Sequence, residues 1–202
     1  MFTKIVIACV ALAGGFAIGY WAIPQDSSSS PTPTPTPLVD PHGDYCSDTV
    51  NLAAVQPPSV NHTTLDYNPF TAYPPVKKAG DGGQCKAQYY RITEPLQVWR
   101  VFESSKPASA LGSWWNLEAP AYMSVANFRH RDDVCASWTP DPDRYHSCYI
   151  KAGTDLAIGP GQSANCTNIT YAESSEPQVY VNAYGNTSMF ADCSAPHAFP
   201  VC

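Results

Sequence analysis

Short apolar stretches broken by Pro, Gly, Ser and Asn dominate the second half of the chain, and their period reads as strand more often than helix. Residues 87–93 (AQYYRIT) and 96–102 (LQVWRVF) are rich in aromatic and β-branched side chains and predict two strands. Residues 147–151 and 154–158 predict two more, divided at Gly153, with Gly159-Pro160-Gly161 as a turn after them. Residues 178–184 (QVYVNAY) form the clearest late strand, residues 111–115 follow a small-residue loop, and residues 124–131 suit a short helix. Strands outnumber helices, so the expected class is α+β with a mixed or antiparallel sheet. Residues 40–83 carry few long apolar patterns and many breakers, including Pro57-Pro58, Pro74-Pro75 and Gly82-Gly83. They read as a loop-rich lead-in tied down by Cys46, Tyr67, Phe70 and Tyr73. A single domain over residues 44–202 follows, with its core at about 84–193.

The first 43 residues have a different character. Residues 1–24 hold one charge, Lys4, ahead of a continuous apolar or small-residue run at 5–21. That pattern fits either a cleaved signal peptide or an uncleaved membrane anchor through residues 5–23. No Lys or Arg follows until Lys77, so charge bias puts the body of the protein outside. Residues 25–43 contain SSSSPTPTPTP, which cannot bury apolar surface and reads as an extended stalk.

Composition narrows the partners. Net charge is −6 and only 14% of residues are charged. Duplex binding needs a strong basic footprint, so nucleic acid is not an expected partner. An anionic small molecule remains compatible if a few arginines gather in one pocket. Besides Cys9 in the leading segment, Cys46, Cys85, Cys135, Cys148, Cys166, Cys193 and Cys202 lie in the body. In an exported chain they read as disulfides, with Cys135–Cys148 and Cys193–Cys202 as the local pairings and one thiol left over. No CxxC pair or Cys/His cluster has zinc-ligand spacing. Sequons at Asn61, Asn165, Asn168 and Asn186 mark surface loops if glycosylated. These features place the protein as secreted or at the extracellular cell surface. The oligomeric state is open, a homodimer included.

Arg100 is the most informative single residue. In a strand, Leu96, Val98 and Phe102 share its face, while Trp99 and Val101 lie opposite, so both faces are apolar. A guanidinium there needs a partner: a ligand phosphate held by its planar fork, an internal carboxylate, or solvent at the sheet end. Gln178, Tyr180 and Asn182 align opposite Val179 and Val181, as in a ligand-facing row or in any half-exposed strand. Trp114-Trp115, beside Gly112, serves either the core or a planar ring. Phe128-Arg129-His130-Arg131 is a small basic cluster at the end of the expected helix. Asp132-Asp133 and Asp141-x-Asp143 lack a Gly-centred loop ending in Glu and read as turn carboxylates rather than a calcium site. The chain carries no GxSxG, HExxH, Walker-type loop or GxGxxG.

The ordered series VWRVF (98–102), GSWW (112–115), VANFRHR (125–131), IKAGTDLAIGPGQ (150–162) and PQVYVN (177–182) resembles secreted domains of the ADP-ribosyltransferase superfamily. Within it, the series is similar to toxin-type NAD glycohydrolases of the tuberculosis-necrotizing-toxin class and fungal surface NADases. The resemblance implies a disulfide-stapled, ADP-ribosyltransferase-like β core with short helices, in which Arg100 grips the NAD pyrophosphate. It sets Trp114 and Trp115 beside the nicotinamide pocket, and Phe128 and Arg129 along the dinucleotide. It gives Gln178 the position where transferases keep a glutamate and these glycohydrolases a glutamine, with Glu176 two residues earlier. Residues 171–177 (YAESSEP) replace the Gly-rich stretch usual before that glutamine, so Gln162 is the alternative catalytic amide. The implied activity is cleavage of NAD+ to nicotinamide and ADP-ribose, with NAD as substrate and no metal or other cofactor. A mono-ADP-ribosyltransferase and a non-catalytic, cysteine-rich, glycosylated surface module are the competing expectations.

Overall fold

A computed structural model describes residue 46 and residues 61–120, 123–184 and 186–200, all within the unit Pro37–Cys202. The expected leader, anchor and stalk, with Cys9 and Cys202, lie outside the described residues. Among the described residues no helix is long and apolar enough to cross a membrane.

The chain forms, in order, β1 (His62–Leu65), β2 (Gln88–Ile92), β3 (Leu96–Phe102), β4 (Trp114–Asn116), α1 (Val125–Arg131), β5 (Arg144–Ile150), β6 (Asp155–Gly161), β7 (Ala164–Asn165), β8 (Thr170–Tyr171), β9 (Ser174–Tyr180), β10 (Phe190–Ala191) and β11 (His197–Ala198). A short 3-10 helix, Pro107–Leu111, leads into β4. The architecture is α+β and mostly antiparallel. Among the described residues one sheet runs β1-β2-β6-β9-β4-β3-β5-β10, with β11 also on β5, and β7 and β8 form a separate pair.

Alternation along these strands fills one core. Tyr90, Ile92, Leu96, Val98, Trp115, Ile150, Leu156, Ile158, Val179 and Val181 are all buried in it. A second set on the opposite face, Val101, Phe128 and Phe199, seats α1 against the sheet. The central strands therefore have apolar cover on both faces, as the residues of β3 imply. Ser124 caps α1, its side chain accepting from the Asn127 amide at 3.1 Å.

Three expectations need correction. Gly159-Pro160-Gly161 is not a turn but the buried end of β6. A side chain at Gly159 would run into the Lys86 backbone carbonyl, so glycine there permits close strand approach, and the register shift at Pro160/Gly161 absorbs the proline. The late strand is Ser174–Tyr180, four residues earlier than its hydrophobic pattern implies, because residues 174–178 pair with β6 despite their polarity. The disulfides are Cys46–Cys85, Cys135–Cys166 and Cys148–Cys193, not the local pairs Cys135–Cys148 and Cys193–Cys202. Sheet pairing overrides chain proximity: β10 lies against β5 and brings Cys193 to Cys148. Three disulfides fit an oxidising, extracellular environment.

Candidate functional site

The three-residue strand β4 organises the site. It joins the halves of the sheet, pairing Asn116 with Trp99 of β3 on one side and with Gln178 of β9 on the other. Neighbouring strands lie about 5 Å apart, so β3 and β9 are separated here by roughly 10 Å. Around this seam lies a cavity of about 410 Å³, lined from β3 by Arg100 and Val101, from β4 by Trp114, Trp115 and Asn116, and from β9 by Gln178. Phe128, Asp132, Asp133, Val134, Trp138 and Thr139 wall it from α1 and the following loop; Lys77, Asp81 and Gly83 close it from the lead-in. The Cys135–Cys166 disulfide staples the wall that carries Trp138.

Arg100 reaches the cavity because the β3–β4 ladder ends at Trp99. Its Nε donates to the Ser109 carbonyl at 2.6 Å and its Nη1 to the Trp114 carbonyl, replacing ladder donors. The guanidinium lies 5.9 Å from the Trp115 ring centre. Gly112 leaves the necessary room, since a Cβ there would sit 2.6 Å from Arg100 Cζ. Among the described residues no carboxylate pairs with Arg100, and burial lowers its pKa to about 10. Of the three partners open to it from sequence, the internal carboxylate is absent among the described residues. Nη2 has no hydrogen-bond partner among them.

Gln178 is buried. Its Nε2 donates to the Asp132 carbonyl at 3.0 Å, and its backbone carbonyl accepts from Gln84 Nε2 at 2.6 Å. Its side-chain oxygen remains without a described partner. Gln162 is also buried but lies outside the cavity lining. Its Nε2 donates to the Lys77 carbonyl at 3.2 Å, which ties down the lead-in, and its Oε1 accepts from the amide and hydroxyl of the adjacent Ser163, so both ends are committed.

The remaining sequence candidates divide in the same way. Trp114 is half-buried, packs on Tyr180 with ring centres 4.8 Å apart, and lines the cavity. Trp115 is 1% exposed and stacks on His146 at 5.6 Å, so it is a core residue that also floors the site. Phe128 lines the cavity from the helix. Arg129 is not part of the cavity lining; it braces the wall from behind, donating to the Thr139 and Pro140 carbonyls at 2.9 and 2.7 Å. Glu176 faces Arg131 at 3.8 Å, outside the cavity lining, and burial raises its pKa. The four sequon asparagines, Asn61, Asn165, Asn168 and Asn186, are exposed.

Sequence reasoning missed an acidic side of the site. Asp132 is buried and accepts from Arg131 Nε at 2.8 Å and Asn116 Nδ2 at 2.9 Å; burial raises its pKa despite those partners. Asp133 is 1% exposed, and both of its carboxyl oxygens lack a hydrogen-bond partner among the described residues. Burial, then the charges of Asp132 and Glu173, raise its pKa to about 8. A Cβ built on Gly161 would collide with Asp133 Oδ2 and stand 3.1 Å from Gln178 Nε2, so the two side chains meet beside that glycine. Adjacent aspartates after a basic helix end were the available signal, and they look the same as an ordinary helix-ending turn. Trp138 gave no signal: it is half-exposed and sits in an irregular loop.

No family model and no curated protein sequence matches this chain. Among solved structures, that of Tne2 in complex with Tni2 is similar, at 14% identity and a TM-score of 0.45, covering 58% of this chain and 95% of that one.

Proposed function

We propose that this chain is an exported NAD+ glycohydrolase with an ADP-ribosyltransferase-like core, cleaving the nicotinamide–ribose bond in the cavity at the β3–β4–β9 seam. The observation that carries this reading is the convergence of Arg100 and Gln178 on one cavity, with the guanidinium facing no carboxylate among the described residues. A half-buried cation without an anionic partner favours an anionic ligand, and a planar fork suits a pyrophosphate.

The chemistry asks little of an acid. The leaving group is already a pyridinium and departs as neutral nicotinamide, through an oxocarbenium-like state as in other glycosidic cleavages. The protein must orient the dinucleotide and hold charge at the ribose. In this reading Arg100 anchors the pyrophosphate through Nη2. Trp114 and Trp138 flank the planar rings. The Gln178 oxygen, with its amide end fixed on Asp132, accepts from a ribose hydroxyl or the attacking water.

The direct test is incubation of purified protein with NAD+ while following free nicotinamide. Arg100→Ala is expected to lower turnover by roughly 100-fold or more, with the far-ultraviolet spectrum unchanged. Gln178→Ala is expected to do likewise, while Gln162→Ala disturbs the lead-in and leaves the chemical step in place. Full activity in folded Arg100→Ala, or no nicotinamide from the native protein, overturns the assignment.

A further inference from the structure

The least explained group in the described structure is the Asp133 carboxyl. It is almost fully buried, lines the cavity, and neither oxygen has a partner. Its backbone is unfavourable too: φ is +53°, a left-handed conformation more usual for Gly or Asn one step beyond a helix end. A carboxylate left this way destabilises the free protein, and Asn would hold the same backbone without the charge.

The charged groups around it do not relieve it. Asp132, in the same turn, is taken by Arg131 and Asn116. Glu173, ahead of β9, adds like charge. Arg131 is turned to Asp132 and Glu176. Arg100 from β3, and Lys77 and Asp81 from the lead-in, line the same cavity without pairing with Asp133. The cavity thus holds a cation and a carboxyl that do not neutralise each other.

Resting on the glycohydrolase reading, we propose that Asp133 is the counter-ion for the cationic nicotinamide end of the substrate, so that the site selects the oxidised pyridinium over the reduced, uncharged ring. The two lone groups then match the two charges of one dipolar ligand: pyrophosphate toward Arg100, pyridinium toward Asp133. The same carboxylate faces the positive charge that passes to the ribose as the ring departs. In the free protein Asp133 keeps its proton up to about pH 8. A bound cation favours the ionised form, so pyridinium binding at neutral pH expels that proton to solvent.

Titration calorimetry at pH 7 with carba-NAD+, which cannot be cleaved, NADH and ADP-ribose, each in phosphate and in Tris, tests this. The expected result is release of close to one proton per site with carba-NAD+ only, and about a tenfold preference for it over NADH. Asp133→Asn should lose both the release and the preference while binding ADP-ribose as before. If that variant does not fold, the native protein alone carries the test, because the preference must increase between pH 6 and pH 9. Equal affinity for carba-NAD+ and NADH without proton release, or a preference retained in Asp133→Asn, overturns the role of Asp133 and leaves the glycohydrolase reading standing. Failure of all three ligands to bind removes both.

Discussion

Replacing Asp133 by Asn should make the protein more stable, and by an amount that grows with pH. The carboxyl titrates at 3.8 in an unperturbed chain and at about 8 in the fold. Between those values the folded state keeps a proton that the unfolded state has released, so stability falls as pH rises, by about 1.4 kcal/mol per unit. The stability is fully present below pH 3.8 and is lost progressively until the folded group itself ionises near pH 8. The accumulated loss is on the order of 5 kcal/mol, a large part of the 5–15 kcal/mol typical of a domain. Asn cannot ionise and tolerates the left-handed backbone.

Guanidinium unfolding with the disulfides intact, at pH 4, 6, 8 and 9, gives the stability difference between the two proteins directly. Burial also raises the pKa of Asp132 and Glu176, but both proteins share those groups, so the difference isolates residue 133. The curves should lie nearest at pH 4 and diverge toward pH 8, where the variant is the more stable. Glu173→Gln should narrow the gap, because the Glu173 charge contributes to the raised pKa. Two parallel curves across this range would refute the account of Asp133 as a buried, unpartnered acid.

Two further substitutions test the seam. Gly112→Ala puts a Cβ 2.6 Å from Arg100 Cζ at an ordinary φ of −80°; the fold should survive a cost of roughly 1–2 kcal/mol, and NAD+ cleavage, read as separate kcat and KM, should fall about tenfold or more. The paired change Cys135→Ala and Cys166→Ala opens a loop of sequence separation 31 and should cost roughly 4 kcal/mol by chain entropy, measured as the denaturant midpoint. It also frees the wall bearing Trp138, so activity should drop further than under equally destabilising changes elsewhere.

How much of this was legible in the sequence depended on which contacts decide each feature. The β3 strand and helix α1 with its Ser124 cap are local: aromatic and β-branched content and capping chemistry specify them, and the observed bounds of β3 are those expected. The start of β5 at Arg144 and of β9 at Ser174 are set by partners. Arg144 pairs with Phe102, and Ser174 with Gly161, so polar residues become strand because a neighbour needs their backbone. The disulfides follow sheet order and not spacing. Arg100 and Gln178 emerged as candidates from the faces of their strands and from the ordered motifs shared with the ADP-ribosyltransferase superfamily, whereas the Asp133 carboxyl came from the fold alone. Two aspartates in a row carry the same sequence signal whether solvated or buried, and only the packing of Gly161 and β9 against that turn separates Asp133 from a surface residue.

The distribution of imperfection through the molecule points the same way. Among the described residues, four buried side-chain atoms lack a hydrogen-bond partner: Gln84 Oε1, Arg129 Nε and both oxygens of Asp133. Two of the four belong to one cavity-lining carboxyl, and a third belongs to Gln84, whose amide holds the backbone of Gln178. Every other buried side-chain nitrogen or oxygen among the described residues has a partner, and the core is filled by Tyr90, Ile92, Trp115 and Val179. A chain that packs this thoroughly yet leaves an acid unpartnered and strained in the same cavity as a guanidinium with no carboxylate partner among the described residues has given up stability at one place, and such local sacrifices gather where a ligand completes the structure. Occupation by a ligand with both an anionic and a cationic end would recover it. The stability lost to Asp133 at neutral pH and the discrimination between charged and uncharged rings are therefore two readouts of one carboxyl, and a substitution that removes the first must remove the second.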